Sequence, residues 1–271
     1  MERAIVTARV APLFLHPRDG AELADEALHG MTVNIIGHKN GFVHVRTDYG
    51  YEGFTLAEDV LVDDGRAAIR NTEAHTILRA AAVDVLEAPR VQSNRLITLT
   101  RGCAVAVRGD DEDGWTRVLL ADGREGFIRS VYQGQTLPVF DPADEAGFRR
   151  RVTASALSYH GTQYRWGGKT PEGIDCSGLC FMAYWLNGVH ICRDARLEPG
   201  FPVRAIPRDS MRSGDLLYFP GHIAMLLRGE RFIHANIAAG GVSINSLNPQ
   251  DGDCRRDLAD NLLAVGSIFE H

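Results

Sequence analysis

Long apolar runs are missing from this 271-residue sequence. No stretch approaches the ~20 consecutive apolar residues that a membrane-spanning helix needs, so no membrane partner is expected. The opening MERAIVTARVAPLFLHPRDG lacks a basic head followed by an apolar core and a small-residue cleavage site. No secretion signal is read there and a cytoplasmic location is expected, with an exported form left open. Clustered positive charge is missing too. Lys and Arg number 29 against 35 Asp and Glu, for a net charge of -6, and the basic residues are scattered. A nucleic-acid partner is therefore not expected. Cysteine is scarce: Cys103, Cys176, Cys180, Cys192 and Cys254 are odd in number and loosely spaced, which excludes a disulfide framework and fits a reducing compartment. There is no C-x-x-C and no H-x-x-x-H, so no metal and no cofactor are expected.

What is present is an ordinary globular balance, 45% hydrophobic and 24% charged, in a chain long enough for two or three small domains. The first half repeats. HGMTVNII, with Gly30 and Val33, is answered by RGCAVAV, with Gly102 and Val105. GFVHVRTDYGYEGF, Gly41 to Phe54, is answered by GWTRVLLADGREGF, Gly114 to Phe127. Each copy alternates short strands with turn residues, which predicts two separate all-β barrels of roughly 60 residues. A role as plain spacers is the alternative. The limits are 1–62 and 75–133, followed by a linker, GQTLPVFDPADE, with a helix-start signal at Asp141-Pro142. Phe148, Val152, Ala156 and Tyr159 then recur at helical spacing, and Gly-rich loops, a second helix and β-hairpins follow. The third domain, 141–271, reads as α+β.

In DCSGLCFMAYWLNG, Asp175 suits an N-cap and Gly188 ends the run, which puts Cys176 in the first turn of an apolar helix. That terminus favours a thiolate and offers backbone N–H groups to a developing oxyanion, so a depressed pKa is expected. Cys180, in the helix body, and Cys103, in a predicted strand, read as packed hydrophobes. A thiol nucleophile needs a base, and the base needs an orienter. His222 and His234 lie in two strand-like runs joined by RGE. A two-residue loop, pairing Arg228 with Arg231, puts the imidazoles on opposite faces. A three-residue loop, or a bulge, puts them on one face. The alternatives are two structural histidines, or a metal held by Cys176, His222 and His234.

YRWGG, DCSG, GDLLYF, GHI and FIHA, in that order, resemble the NlpC family of bacterial cell-wall cysteine peptidases, which has a papain-like fold. The resemblance covers roughly residues 140 to 271. It implies Cys176 as nucleophile, His222 as general base, His234 as its orienter and Tyr164 beside the oxyanion. It implies substrate contacts from Trp166, Asp175, Ser177 and, on the CRDA stretch, Arg193 and Asp194. The two N-terminal copies resemble bacterial SH3-like domains. Their presence resembles the branch that recycles wall peptides, a hydrolase activity cutting between γ-D-glutamate and a diamino acid behind a free N-terminal L-alanine. The implied partner is a small peptide, L-Ala-γ-D-Glu-diaminopimelate or its L-Lys counterpart, bound by a monomer. In that branch the first barrel walls the cleft, which gives Tyr51 and Glu52 a part in substrate binding. An exported endopeptidase, a non-catalytic wall-peptide binder, and an acyltransferase or amidase are the rival readings.

Overall fold

The computed structural model describes residues 2–62, 75–109, 113–134 and 136–270. Met1 and His271, at the limits of the expected domains, and Gln135 of the expected linker lie outside the described residues. The chain divides into two compact units, 1–137 and 138–271. Among the described residues, no helix is long and apolar enough to cross a membrane.

In the N-terminal unit the first sheet holds β1 (Glu2–Val6), β2 (Val10–Phe14), β3 (Leu23–Leu28), β4 (Thr32–Lys39), β5 (Phe42–Thr47), β6 (Glu52–Leu56) and β7 (Val60–Val62). Its antiparallel order is β3-β2-β6-β5-β4-β1-β7. The second sheet holds β8 (His75–Ile77), β9 (Ala82–Leu86), β10 (Arg95–Thr100), β11 (Ala104–Val107), β12 (Trp115–Leu119) and β13 (Glu125–Arg129), in the order β10-β9-β13-β12-β11-β8. The repeat is visible in the β4-β5-β6 and β11-β12-β13 meanders. Each has a left-handed pair before its second strand, Asn40-Gly41 and Asp113-Gly114, and the first is the tight two-residue turn between Lys39 and Phe42.

Closed barrels were the expectation, and no closed ladder is formed among the described residues: β3 and β7 are edges of the first sheet. Bulges at Leu13/Phe14 and Ile35/Gly37 bend that sheet instead. It curls round one core, to which Val6, Leu13, Ala27, Val33, Val45 and Val60 contribute from six of its strands. Side-chain burial, not a continuous ladder, holds it together. His29 joins the two sheets. Its ring Nδ1 donates to the Thr7 carbonyl at 2.8 Å and its Nε2 accepts from the Ala121 N–H at 3.0 Å, while its own carbonyl accepts from Ala104 at 2.8 Å. Cys103 sits in the turn before β11 rather than in the strand, fully buried, with its sulfur 3.5 Å from the Arg9 carbonyl.

The C-terminal unit opens with α1 (Glu145–Leu157). Its N-cap is Asp144, which accepts from Gly147 N–H at 3.0 Å, not the expected Asp141, whose carboxylate accepts from Ala143. Phe148, Val152, Ala156 and Tyr159 are buried as the helical spacing requires. The short pair β14 (Lys169–Thr170) and β15 (Gly173–Ile174) leads into α2 (Cys176–Trp185), every residue of which is buried. Each large apolar side chain on such a helix contributes on the order of 1.5–3 kcal/mol by leaving water.

The antiparallel sheet runs β16-β21-β17-β18-β19-β20, from β16 (Arg204–Ile206), β17 (Leu216–Phe219), β18 (His222–Arg228), β19 (Arg231–Asn236), β20 (Gly241–Ser246) and β21 (Ala264–Ser267). The short α3 (Arg256–Ala259) precedes β21. Helix α2 lies against β18 and β19. The GDLLYF motif fixes α1 to the sheet through its aspartate. Asp215 is buried, and it accepts from Arg149 of α1 at 2.8 Å and from Arg212 N–H at 2.7 Å.

Candidate active site

Cys176 is the first residue of α2 and is 8% exposed. The helix starts there because Asp175 caps it, its Oδ1 accepting from Gly178 N–H at 2.5 Å. A cap of this kind contributes ~1 kcal/mol. The glycine of DCSG is explained by one contact, since a side chain on Gly178 would run into the Gly168 carbonyl, while one on Gly168 of WGG would meet the Gly173 carbonyl.

Asp175 does more than cap. Its Oδ1 also accepts from Ser177 Oγ at 3.2 Å and Arg193 Nη1 at 3.1 Å, and its Oδ2 accepts from Gly167 N–H at 2.8 Å and Arg193 Nη2 at 3.1 Å. Arg193 further donates to Ser177 Oγ at 2.8 Å and to the Gly167 carbonyl at 3.0 Å. All three side chains are buried. The family resemblance implies substrate contacts from Asp175, Ser177 and Arg193. Here they face one another, and they tie the YRWGG loop to the helix start. Breaking such a buried ion pair costs about 3–5 kcal/mol.

Of the other expected substrate residues, Asp194 is half-exposed and pairs with Arg196 at 3.1 Å. Trp166 is 57% exposed, two residues from Tyr164. Tyr164 is close enough to Cys176 for the sulfur to raise its pKa; burial is the larger cause, and together they push it up to about 12. The phenol is therefore a hydrogen-bond donor at neutral pH.

The histidines stand on the sheet facing α2. The loop Gly229-Glu230 pairs Arg228 with Arg231, the two-residue register, which alone would put the imidazoles on opposite faces. A bulge between Leu226 and Arg228 corrects it, so that Met225 pairs with Ile233. His222 and His234 then share a face, with His222 Nε2 2.8 Å from His234 Nδ1. The ring of His234 is fully buried, edge-on to Phe232 with centroids 4.9 Å apart, and its Nε2 lies 3.0 Å from Asn245 Oδ1. The backbone N–H of Ile223, next to His222, is near enough to Cys176 to favour its thiolate, which sets the start of β18 against the start of α2.

The electrostatics differ from the expected stabilised thiolate. Burial, then the Asp175 carboxylate, pushes the Cys176 thiol up to about 11, against opposition from the Ile223 and Ser177 N–H groups and Arg193. Burial likewise lowers both His222 and His234 to about 4. The helix terminus does not outweigh desolvation, and the resting pair is a neutral thiol beside a neutral imidazole. Cys180 is fully buried, and burial raises its thiol well above the ordinary range, as a packed hydrophobe should be. Among the described residues, no three His, Cys, Asp or Glu side chains are grouped to hold a metal ion.

The sequence profile of the NlpC/P60 family matches residues 161–252, the segment that carries Cys176, His222 and His234. Dipeptidyl-peptidase 6 of Lysinibacillus sphaericus is 45% identical over 273 aligned residues, which cover 98% of this chain and 99% of that protein. This chain belongs to the NlpC/P60 family. It is accordingly a hydrolase of the peptidase kind. A second relative of this NlpC/P60 peptidase, the gamma-D-glutamyl-L-lysine dipeptidyl-peptidase of Bacillus subtilis, is 28% identical over 50% of this chain and 46% of its own length. A solved NlpC/P60 family protein from Bacillus cereus superposes with a TM-score of 0.81 at 18% identity, covering 99% of this chain and 100% of that one, which shows a shared fold.

In the NlpC/P60 peptidase, Tyr51 and Glu52 belong to the N-terminal unit. The backbone N–H of Tyr51 donates to the Thr47 hydroxyl at 2.9 Å and its carbonyl accepts from the Thr47 N–H at 2.9 Å, and Glu52 pairs with Arg46 at 2.6 Å. Tyr49 is buried and donates to the buried Asp25. Sequence reasoning missed Asn245, Asn236 and Ser243. The signal was available in VSIN and HAN, where polar residues alternate along otherwise apolar strands.

Proposed function

We propose that this chain is a cysteine dipeptidyl-peptidase acting on peptidoglycan stem peptides, cutting the γ-D-glutamyl–L-diamino acid bond and releasing L-Ala-γ-D-Glu from peptides with a free N-terminal L-alanine. One observation carries the reading: the likeness to Dipeptidyl-peptidase 6 runs over 98% of the chain, whereas the likeness to the murein and peptidoglycan endopeptidases of Escherichia coli and Bacillus subtilis is confined to 36–45% of it. The chemistry follows from the neutral resting pair. Substrate binding brings the γ-glutamyl carbonyl to Cys176. His222 takes the thiol proton as sulfur attacks, so an S–H bond breaks as an N–H bond and a C–S bond form. The oxyanion is met by N–H groups of the first turn of α2 and by the Tyr164 hydroxyl. The C–N bond then breaks, the amine leaves with the proton from His222, and water hydrolyses the thioester.

Asp175 is saturated from within, so Asp194 is the better candidate for the peptide's free ammonium group. In this reading residues 1–62 and 75–133 are SH3-like modules, residues 141–271 are the papain-like peptidase, and the protein works as a monomer on a soluble peptide in the cytoplasm. The test is digestion of L-Ala-γ-D-Glu-diaminopimelate and L-Ala-γ-D-Glu-L-Lys, free and N-acetylated, followed by mass spectrometry. The free peptides should yield L-Ala-γ-D-Glu and the acetylated ones should stay whole. Equal cleavage of both would leave an endopeptidase in its place.

A further inference from the structure

Two side-chain amides make opposite demands on one nitrogen of His234. Its Nε2 lies 3.0 Å from Asn245 Oδ1 and 3.1 Å from Asn236 Nδ2. Both amides are fixed from their far ends. Asn236 Oδ1 accepts from Ala239 N–H at 2.7 Å, and Nδ2 donates to Ser243 Oγ at 2.9 Å. Asn245 Nδ2 donates to the Asp253 carbonyl at 3.1 Å, and its Oδ1 accepts from Ser243 Oγ at 3.2 Å. Asn245 therefore offers His234 an acceptor, and Asn236 offers it a donor.

A neutral imidazole has one proton to place. With the proton on Nε2, His234 donates to Asn245 and its Nδ1 is an acceptor. His222 must then donate from Nε2, across the 2.8 Å contact, which leaves His222 Nδ1 bare. With the proton on Nδ1, His234 accepts from Asn236, and His222 Nε2 becomes the acceptor. The His222 proton then sits on Nδ1, and neither ring nitrogen is left to take the thiol proton. Only the first arrangement is competent. It also survives the reaction unchanged, because the imidazolium formed on His222 keeps the same Nε2–H bond to His234.

We infer that Asn245 is a positioning residue for the cysteine-peptidase reaction: it holds His234 in its Nε2–H form, against Asn236, so that His222 presents an unprotonated Nδ1 to Cys176. The inference rests on the cysteine-peptidase reading of the site. The charged groups facing the pair are Arg255, which opposes protonation, and Asp257, which favours it.

The experiment compares the full-length protein with Asn245→Leu and Asn245→Asp. Long-range 15N–1H spectra of the ring nitrogens in free protein should show His234 protonated at Nε2 in the parent and in Asn245→Asp, and at Nδ1 in Asn245→Leu. For Asn245→Leu, kcat should fall by roughly tenfold or more with KM little changed, as befits a lost general-base geometry. Asn245→Asp keeps the acceptor oxygen and should regain most of kcat. Its acid limb should move to higher pH, because a carboxylate beside the pair favours the imidazolium. Iodoacetamide alkylation of Cys176 at neutral pH needs no substrate and should slow in Asn245→Leu, which separates this inference from the choice of peptide. A parental tautomer, or parental alkylation rate, in Asn245→Leu would overturn it. Should Asn245→Leu fail to fold, an unmoved acid limb for alkylation in Asn245→Asp would do the same.

Discussion

His29 in the N-terminal unit and His234 in the C-terminal unit are both fully buried, and burial lowers the pKa of each. Their partners set them apart. Both ring nitrogens of His29 meet backbone, a carbonyl on one side and an N–H on the other. Those partners never trade roles, so the ring has one tautomer and acts as a tie between two sheets. Both ring nitrogens of His234 meet side chains, His222 on one side and two asparagines on the other. Of these, His222 can exchange donor and acceptor roles while the two asparagines offer one acceptor and one donor, so the ring can pass on the consequence of a proton arriving elsewhere. Burial alone therefore does not mark a working histidine. The chemical type of its partners does.

The sharpest way to break this comparison is to remove one ring from each region. His222→Ala should lower kcat by ~100-fold or more while leaving thermal unfolding near that of the parent. His29→Ala should do the reverse, losing ~2–5 kcal/mol of stability because the Thr7 carbonyl and the Ala121 N–H lose buried partners, with turnover kept in the folded fraction. Turnover and denaturant midpoints measured on both variants decide it, and an exchange of the two phenotypes would refute the distinction.

A smaller effect comes from pH. The folded pKa of His222 and of His234 is about 4, below the ordinary 6.5, and that of His29 is lowered too. The native state thus binds fewer protons than the unfolded chain in this window. The stabilisation is complete above about pH 6.5 and is lost as pH falls through about 4. Urea midpoints should decline across that range. The acid limb of kcat/KM should lie near pH 4 instead of 6.5, since protonated His222 cannot take the thiol proton; a limb near 6.5 would mean that the base is not shielded as described. The smallest effect is on labelling among the buried thiols. Iodoacetamide should reach Cys176 before Cys103 and Cys180, as peptide mapping would show.

Much of the C-terminal unit was legible because its signals are local. Asp175 as N-cap and Gly188 as terminator need only a few residues of context, and the helical spacing from Phe148 to Tyr159 reads directly onto a buried stripe. Less was legible where the outcome depends on competing long-range terms. Asp175 could be read as a cap, but its saturation by Arg193, eighteen residues on, requires a loop path that no pattern encodes. The thiol's pKa turns on how much burial opposes the helix terminus, a quantity that only packing fixes. Asn245 becomes a partner of His234 only through the register that sets His234 opposite Ser243 across β19 and β20. In the N-terminal unit the turns and strands of the repeat could be read, whereas the open ladders reflect bulges with no sequence signature.

Leu227 is the residue that the β18–β19 register leaves over between Leu226 and Arg228. Its presence makes the site a matter of odd and even. Losing a single residue between 223 and 228, or gaining one, would turn His222 to the far side of its strand with every reactive group still encoded. A change of two would keep it in phase. Substitutions that keep the burial and the two histidines leave this parity intact, while a one-codon insertion or deletion would silence the enzyme at a stroke. Lineages that carry this geometry should accordingly vary in the letters of the hairpin far more than in its length.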